Sequence, residues 1–129
     1  MSNSIVDKFI ETRVAILNMG EDGILRIVLN HENGIYPDDM KELSGAIAQI
    51  SGREEVPVLM KSVNYKLPSR EIRSTPVTGG KIKAIAFLVT NPLAKVGVNF
   101  FIKLNAPPFP FKMFTDEKEA LLWLKSFQV

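Results

Sequence analysis

The segment from Lys81 to Phe127 alternates between strand and helix patterns, and this order constrains the fold more than any other feature. Lys81–Thr90 contains a continuous apolar run, which is typical of a strand covered on both faces in a parallel sheet. Asn91-Pro92 then predicts a helix start, because the residue before proline is pushed out of the α region. Phe109–Phe114 alternates again, and Pro110 predicts an edge strand since proline cannot donate to a ladder.

The N-terminal half carries a hairpin signal. Arg13–Met19 and Ile24–Asn30 are apolar runs rich in β-branched residues, and Gly20–Gly23 lies between them. An Asp-Gly pair supplies the positive φ of a tight turn, so these runs predict two antiparallel strands. Residues 1–10 mix polar and apolar types, and we expect them to be loosely held.

Periodicity and capping residues place the remaining elements. A helix is predicted from about Pro37 to Ser51, since proline suits a first turn and Gly52 suits a helix end. Its expected buried stripe is Met40, Leu43, Ala46, Ile47 and Ile50. Val56–Val63 is the third strand. The last helix is expected to be capped by Thr115 and to bury Ala120, Trp123, Leu124 and Phe127.

These elements predict one α/β domain over residues 1–129. The order is β-β-α-β-α-β-α-β-α, with helices beginning at Ser69 and spanning Leu93–Leu104 in addition to the two above. Strands separated by helices imply right-handed crossovers, so we expect an N-terminal antiparallel hairpin followed by parallel strands in a mixed sheet.

Composition excludes several classes of function. The 129 residues carry a net charge of +2, which is too balanced for a dedicated nucleic-acid binder. The absence of cysteine excludes disulfides, thiolate catalysis and cysteine-ligated metals. No secretory signal is expected from Met1–Ile10, and the apolar run Ala84–Val89 is too short to cross a bilayer. We therefore expect a soluble, cytoplasmic protein.

Local motifs in the C-terminal half carry a family resemblance. They are Ala84–Val89, Leu93–Val96, Asn99–Phe101 and Phe114–Glu117, with Ala120, Trp123 and Leu124. Together with the element order, they resemble the STAS domain, the sulfate-transporter and anti-sigma-factor-antagonist fold, in its stand-alone SpoIIAA-like bacterial branch. The resemblance implies a SpoIIAA/STAS-like mixed sheet and a regulatory, non-enzymatic role with a protein partner.

The resemblance also implies a phosphorylated serine at the start of the helix after the third strand. Ser69 is the nearest positional match, although Pro68 and Arg70 flank it in place of the family's aspartate and small residues. A phosphate at a helix N-terminus would meet free N–H groups and could pair with Arg70 or Arg73. The alternative for Ser69 is an ordinary helix cap. Lys66, Arg70 and Arg73 form either a partner surface or solvated charge.

The helix Leu93–Leu104 is apolar on all sides except the line of Lys95, Asn99 and Lys103. Three interpretations stay open: core packing, a homodimer face, or one wall of a cavity for a small apolar or lipid-like ligand. The last follows an analogy with CRAL-TRIO lipid carriers. The residues concerned in a dimer or ligand face are Val96, Phe100, Phe101 and Phe111.

No pattern in the sequence indicates catalysis. His31 is the only histidine, and one histidine beside Asp38 and Asp39 lacks the ligand set of a metal site. No nucleophile–base pair or phosphate-binding loop is visible, so no cofactor and no enzymatic activity are expected. The sequence thus predicts a regulatory or protein–protein interaction module, with an apolar-ligand carrier as the alternative.

Overall fold

The structure is a computed structural model that describes residues 8–52, 54–64, 81–89 and 109–128. These residues form a mixed six-stranded sheet with two helices. The strands are β1 Phe9–Glu11, β2 Ala15–Met19, β3 Leu25–Asn30, β4 Val56–Val63, β5 Ile82–Leu88 and β6 Phe111–Phe114. The helices are α1 Pro37–Ile50 and α2 Glu117–Lys125. The strands lie in the sheet in chain order, from β1 to β6. No helix in these ranges is long and apolar enough to cross a membrane.

The predicted hairpin is confirmed. Strands β2 and β3 pair antiparallel, with Leu17 opposite Ile27. The turn between them places Gly23 at φ 80°, a conformation that glycine adopts at little cost. The Asp22 side chain accepts a hydrogen bond from the Ile24 N–H and pairs with Arg26, which fixes the turn.

The parallel region is also confirmed. Strands β3, β4, β5 and β6 run parallel, with Val58 opposite Ile85 and Ile85 opposite Phe111. The centre of β5 is buried on both faces, as its continuous apolar run predicted. Strand β6 lies at the edge of the described sheet, in agreement with the position expected from Pro110.

The two helices pack on opposite faces of the sheet. The face under α1, here called the α1 face, buries the main core, which consists of Val14, Ala15, Leu17, Leu25, Ile27, Leu29, Leu43, Ala46, Ile47, Ile50, Val56, Val58 and Ile85. The opposite α2 face buries Leu59, Ala84 and Ala86 against Ala120 and Leu124. Helix α2 lies over β4, β5 and β6, so it covers only one half of its face.

Helix α1 begins and ends where the sequence predicted. Leu43, Ala46, Ile47 and Ile50 are buried, and Met40 is half-buried. Gly52 adopts φ 66° just after the helix, the left-handed conformation expected of a glycine at a helix end. The residues from Pro37 to Gly52 were therefore sufficient to predict the whole of helix α1.

Some sequence predictions were wrong in detail. Phe9 and Ile10, expected to be loosely held, form β1 together with Glu11 because their backbone pairs with β2. Helix α2 is capped by Asp116 rather than Thr115, since the Asp116 carboxylate accepts the Lys118 N–H at 2.9 Å. The expected helices at Ser69 and Leu93–Leu104 lie outside the described residues.

Candidate functional site

Among the described residues, most of the polar side chains that interact over long sequence distances lie at the carboxyl ends of the parallel strands. Open α/β sheets bind ligands and partners at this edge, where loops leave the strands. The edge, here called the carboxyl edge, is formed by the ends of β3 and β4 together with Arg13 before β2 and the N-terminus of α1. Within the ranges that the structure describes, it contains three hydrogen-bonded groups of side chains.

The first group joins the ends of β3 and β4 on the α1 face. His31 Nε2 lies 3.0 Å from Ser62 Oγ, and the His31 backbone N–H donates to the Val63 carbonyl at 3.1 Å. The His31 residue is only 7% exposed, and this burial lowers the pKa of its imidazole. The ring is therefore held neutral near pH 7, with one nitrogen able to donate and the other to accept.

The second group directs the chain as it leaves β4. The Asn64 amide donates to Asn30 Oδ1 at 3.1 Å, and the same oxygen accepts the Glu32 N–H at 3.0 Å. Asn64 adopts φ 52°, the only positive value among the described residues other than glycine. Asparagine tolerates this left-handed conformation better than most residues. The backbone preference of Asn64 and its side-chain hydrogen bond to Asn30 therefore both stabilise the path of the chain after β4.

The third group ties β2 to the start of α1. Arg13 Nε and Nη2 donate to the two carboxylate oxygens of Asp39 at 2.9 and 2.5 Å, and Nη2 also donates to the Gly34 carbonyl at 2.9 Å. Asp39 Oδ2 accepts the Tyr36 N–H at 2.8 Å, which satisfies a backbone donor before the helix. The hydrogen bonds from Arg13 hold the pKa of Asp39 below its usual range.

The Arg13 group leaves one aromatic ring at the surface. The Arg13 guanidinium lies 5.6 Å from the centre of the Tyr36 ring, within the range of a cation–π contact. The Tyr36 side chain is exposed. Because Asp39 accepts three hydrogen bonds and is held ionised, it is a structural anchor and a poor general base.

Of the candidate site residues predicted from the sequence, only Phe111 lies within the described residues. Its half-buried side chain lies on the α1 face, with its ring centre 6.2 Å from that of Phe87. It belongs to an apolar cluster with Phe87, Val89, Met60 and Met113. The other predicted site residues lie outside the described residues: Ser69, Lys66, Arg70, Arg73, Val96, Phe100 and Phe101.

Clusters of metal-ligating side chains are absent from the described part of the chain. There, no three histidine, aspartate or glutamate side chains come together in a ligand set. Asp39 is hydrogen-bonded to Arg13. The His31 ring lies within hydrogen-bonding distance of the Ser62 hydroxyl.

Sequence reasoning missed the residues that build the carboxyl edge. Arg13 precedes Asp39 by 26 positions, and Asn30 precedes Asn64 by 34. Only the sheet register brings such pairs together, so no local pattern marks them. One signal was available: an acidic residue in the first helical turn after Pro37 is a common acceptor for backbone donors at a helix start.

Comparison with known proteins assigns the chain to a family. The model of the domain of unknown function DUF7793 matches residues 19–128. The chain belongs to the DUF7793 family. The match begins at the last residue of β2 and extends past α2, so it contains the parallel strands and all of the carboxyl edge except Arg13.

One solved structure similar to this DUF7793 protein is the crystal structure of a protein with unknown function from Arthrobacter sp. FB24, determined at 2.20 Å resolution. The two sequences are 32% identical, and the similarity covers 92% of this chain and 98% of the other. The TM-score is 0.34. No curated protein matches the chain.

Proposed function

We propose that this DUF7793 protein is a non-enzymatic regulatory or protein–protein interaction module of the STAS type. Its recognition surface is the carboxyl edge together with the segment from Asn64 to Thr78. The partner is a signalling protein of a bacterial cytoplasm, and phosphorylation of Ser69 would change the charge that the partner meets.

The position of Asn64 is the observation that carries this proposal. Asn64 follows Val63, the last residue of β4, at the carboxyl edge, so the segment that follows starts where α/β sheets present their binding loops. The contacts of Asn64 with Asn30 and of His31 with Ser62 join β3 to β4 at this point. Partner recognition benefits from such a rigid base, because less conformational freedom is lost on binding.

The chemistry of the edge favours binding over catalysis. Asp39 is held ionised by Arg13, and the Asn30 amide oxygen accepts two hydrogen bonds. An aromatic ring beside a guanidinium, as in Tyr36 and Arg13, is typical of recognition surfaces, where tyrosine and arginine are enriched. These groups stabilise local structure and present a mixed polar and aromatic surface.

A pull-down from extract of the native host tests the proposal. We expect the wild type and Ser69→Ala to capture the same signalling protein, and Ser69→Asp to change the captured amount several-fold, as measured by quantitative mass spectrometry. Ser44→Asp on α1 is the matched control for the added charge, and circular dichroism checks that each variant is folded. Equal capture by the wild type and all Ser69 variants would refute the phosphorylation switch.

A second pair of variants tests the carboxyl edge itself. Asn64→Gly keeps the left-handed conformation, whereas Asn64→Val opposes it, because β-branched residues disfavour positive φ. We expect the glycine variant to capture the partner like the wild type and the valine variant to lose it. Capture that is unchanged by valine would place the recognition surface elsewhere.

A binding protein for a small apolar or lipid-like ligand is the second candidate function. The observation in its favour is the cluster of Met60, Phe87, Phe111 and Met113, in which methionine side chains adapt readily to bound shapes. Native mass spectrometry of the purified protein would detect a retained lipid. A ligand-free mass, with no thermal shift upon addition of fatty acid or phospholipid, would remove this candidate.

A further inference from the structure

The half of the α2 face that α2 does not cover carries exposed apolar side chains. Ile16 on β2 is 43% exposed and Phe9 on β1 is 50% exposed, while Val28 on β3 is half-buried. These residues alternate with Leu17, Ile10 and Ile27, which face the main core. A polar solvated face would be the usual outcome for an antiparallel hairpin, so these apolar residues require an explanation.

Charged residues flank the apolar pair in one row across the sheet. Glu11 lies opposite Ile16, Ile16 opposite Val28, and Val28 opposite Lys61. The row, here called the open row, therefore runs acid, apolar, apolar, base. Neighbouring strands are about 4.8 Å apart, so Glu11 and Lys61 are separated by roughly 14 Å and cannot pair within one chain.

The open row is complementary to itself. A two-fold axis parallel to the strands, between Ile16 and Val28, reverses the row on a second copy. Glu11 then faces Lys61 of the other copy and Ile16 faces its Val28, and each contact occurs twice. In the next row, Asn18 would face Arg26 of the other copy, whose guanidinium also donates to Asp22 of its own chain.

We propose that two copies of this protein associate through the open row, packing the part of the α2 face that runs from β1 to Lys61 on β4 in one copy against the same part of the other. The footprint is roughly 14 Å by 17 Å, three strand spacings by five residues, which is smaller than a standard interface. The dimer is therefore weak, with a dissociation constant at the upper end of the micromolar range. This inference goes beyond the proposed regulatory function and does not depend on it.

This dimer differs from the one considered from the sequence. The sequence-based dimer face included Phe111, which lies on the α1 face, opposite the open row. The two interfaces therefore use different sides of the sheet. Charge substitutions in the open row distinguish them, because they leave the α1 face unchanged.

A charge-swap experiment with the full chain tests the proposal by sedimentation velocity over a concentration series. We expect Glu11→Lys and Lys61→Glu each to raise the dissociation constant by roughly tenfold or more, because each creates two like-charge contacts per dimer. The double variant Glu11→Lys/Lys61→Glu restores both contacts and is expected to return within about threefold of the wild type.

Lys41→Glu/Glu42→Lys on α1 is the matched control, since it makes the same exchange on an exposed surface of the other face. We expect it to associate like the wild type. A wild type that stays monomeric at millimolar concentration would overturn the proposal, and so would a dimer insensitive to both single reversals. Failure of the double variant to regain association while its thermal unfolding matches the wild type would also overturn it.

Discussion

Replacement of Asp39 by alanine should destabilise the protein more than any other change at the carboxyl edge. The Asp39 side chain is 9% exposed and accepts one hydrogen bond from the Tyr36 N–H and two from Arg13. Loss of the backbone contact removes a helix cap, which costs about 1 kcal/mol. Hydrogen bonds to a charged group contribute roughly 1.5–3 kcal/mol each, and the discount for solvent here is large because the Arg13 side chain is 45% exposed.

The expected loss for Asp39→Ala is therefore about 2–3 kcal/mol in the free energy of unfolding. Asp39→Asn keeps one acceptor oxygen and should lose about half as much. Asp38→Asn is the matched control, since Asp38 is exposed in the same helical turn and contributes only a dipole interaction of at most about 1 kcal/mol. Urea unfolding followed by circular dichroism measures all three variants. Equal losses in Asp39→Asn and Asp38→Asn would refute the reasoning.

The pH dependence of the free energy of unfolding of the same variants tests the electrostatic contribution of Asp39. The pKa of Asp39 is lowered in the folded protein, first by its hydrogen bonds to Arg13. Its contribution is complete above the unfolded pKa of about 3.9 and is lost as pH falls through the lower folded pKa. We expect the difference between wild type and Asp39→Asn to be undiminished above about pH 5 and to shrink as pH falls below the unfolded pKa of about 3.9. A difference that stays constant would show that charge contributes little.

Other substitutions test single features of the fold. Gly45→Ala should stabilise the protein by about 0.5–1 kcal/mol, because a Cβ there meets open space on a helix, whereas Gly52→Ala should destabilise it because of its positive φ. Leu124→Ala should cost about 2–5 kcal/mol through a cavity under α2, while Leu122→Ala, at a position 68% exposed, should cost little. Because the pKa of His31 is lowered in the folded protein, its contribution to the free energy of unfolding should be complete above about pH 6.5 and decline below it. His31→Gln should remove this pH dependence. Chemical denaturation measures each outcome. A stabilising Gly52→Ala would contradict the argument from its positive φ, and equal losses in Leu124→Ala and Leu122→Ala would contradict the argument from burial. A loss of stability at acidic pH that persists in His31→Gln would contradict the argument from its pKa.

Helices and strands of the described residues could be predicted where the residues that indicate them lie close together in the sequence. Asp22-Gly23 between apolar runs specified the hairpin, and Pro37 with Gly52 bounded α1. The alternation of Phe109–Phe114 together with Pro110 placed β6 at an edge. Each of these signals depends on residues a few positions apart, which is the range over which local conformational preferences act.

Features that depend on pairing between distant segments could not be predicted. Phe9–Glu11 has no strand pattern of its own and forms β1 because β2 offers a free edge. Arg13 gave no sign of contacting Asp39, and the contact of His31 with Ser62 depends on the parallel register of β3 with β4. A change of one residue in register would turn each of these side chains to the other face.

Strand β4 shows how one segment serves two separate surfaces. Lys61 belongs to the open row on the α2 face, Ser62 meets His31 on the α1 face, and Asn64 directs the chain at the carboxyl edge. Alternation along a strand separates the first two by a full sheet thickness, so a charge at Lys61 has little influence on the polar contacts of Ser62. Self-association and partner recognition should therefore be separable by substitution: a change at Lys61 alters the first and leaves the second intact, and a change at Asn64 does the reverse. If either substitution altered both, the two surfaces would be one.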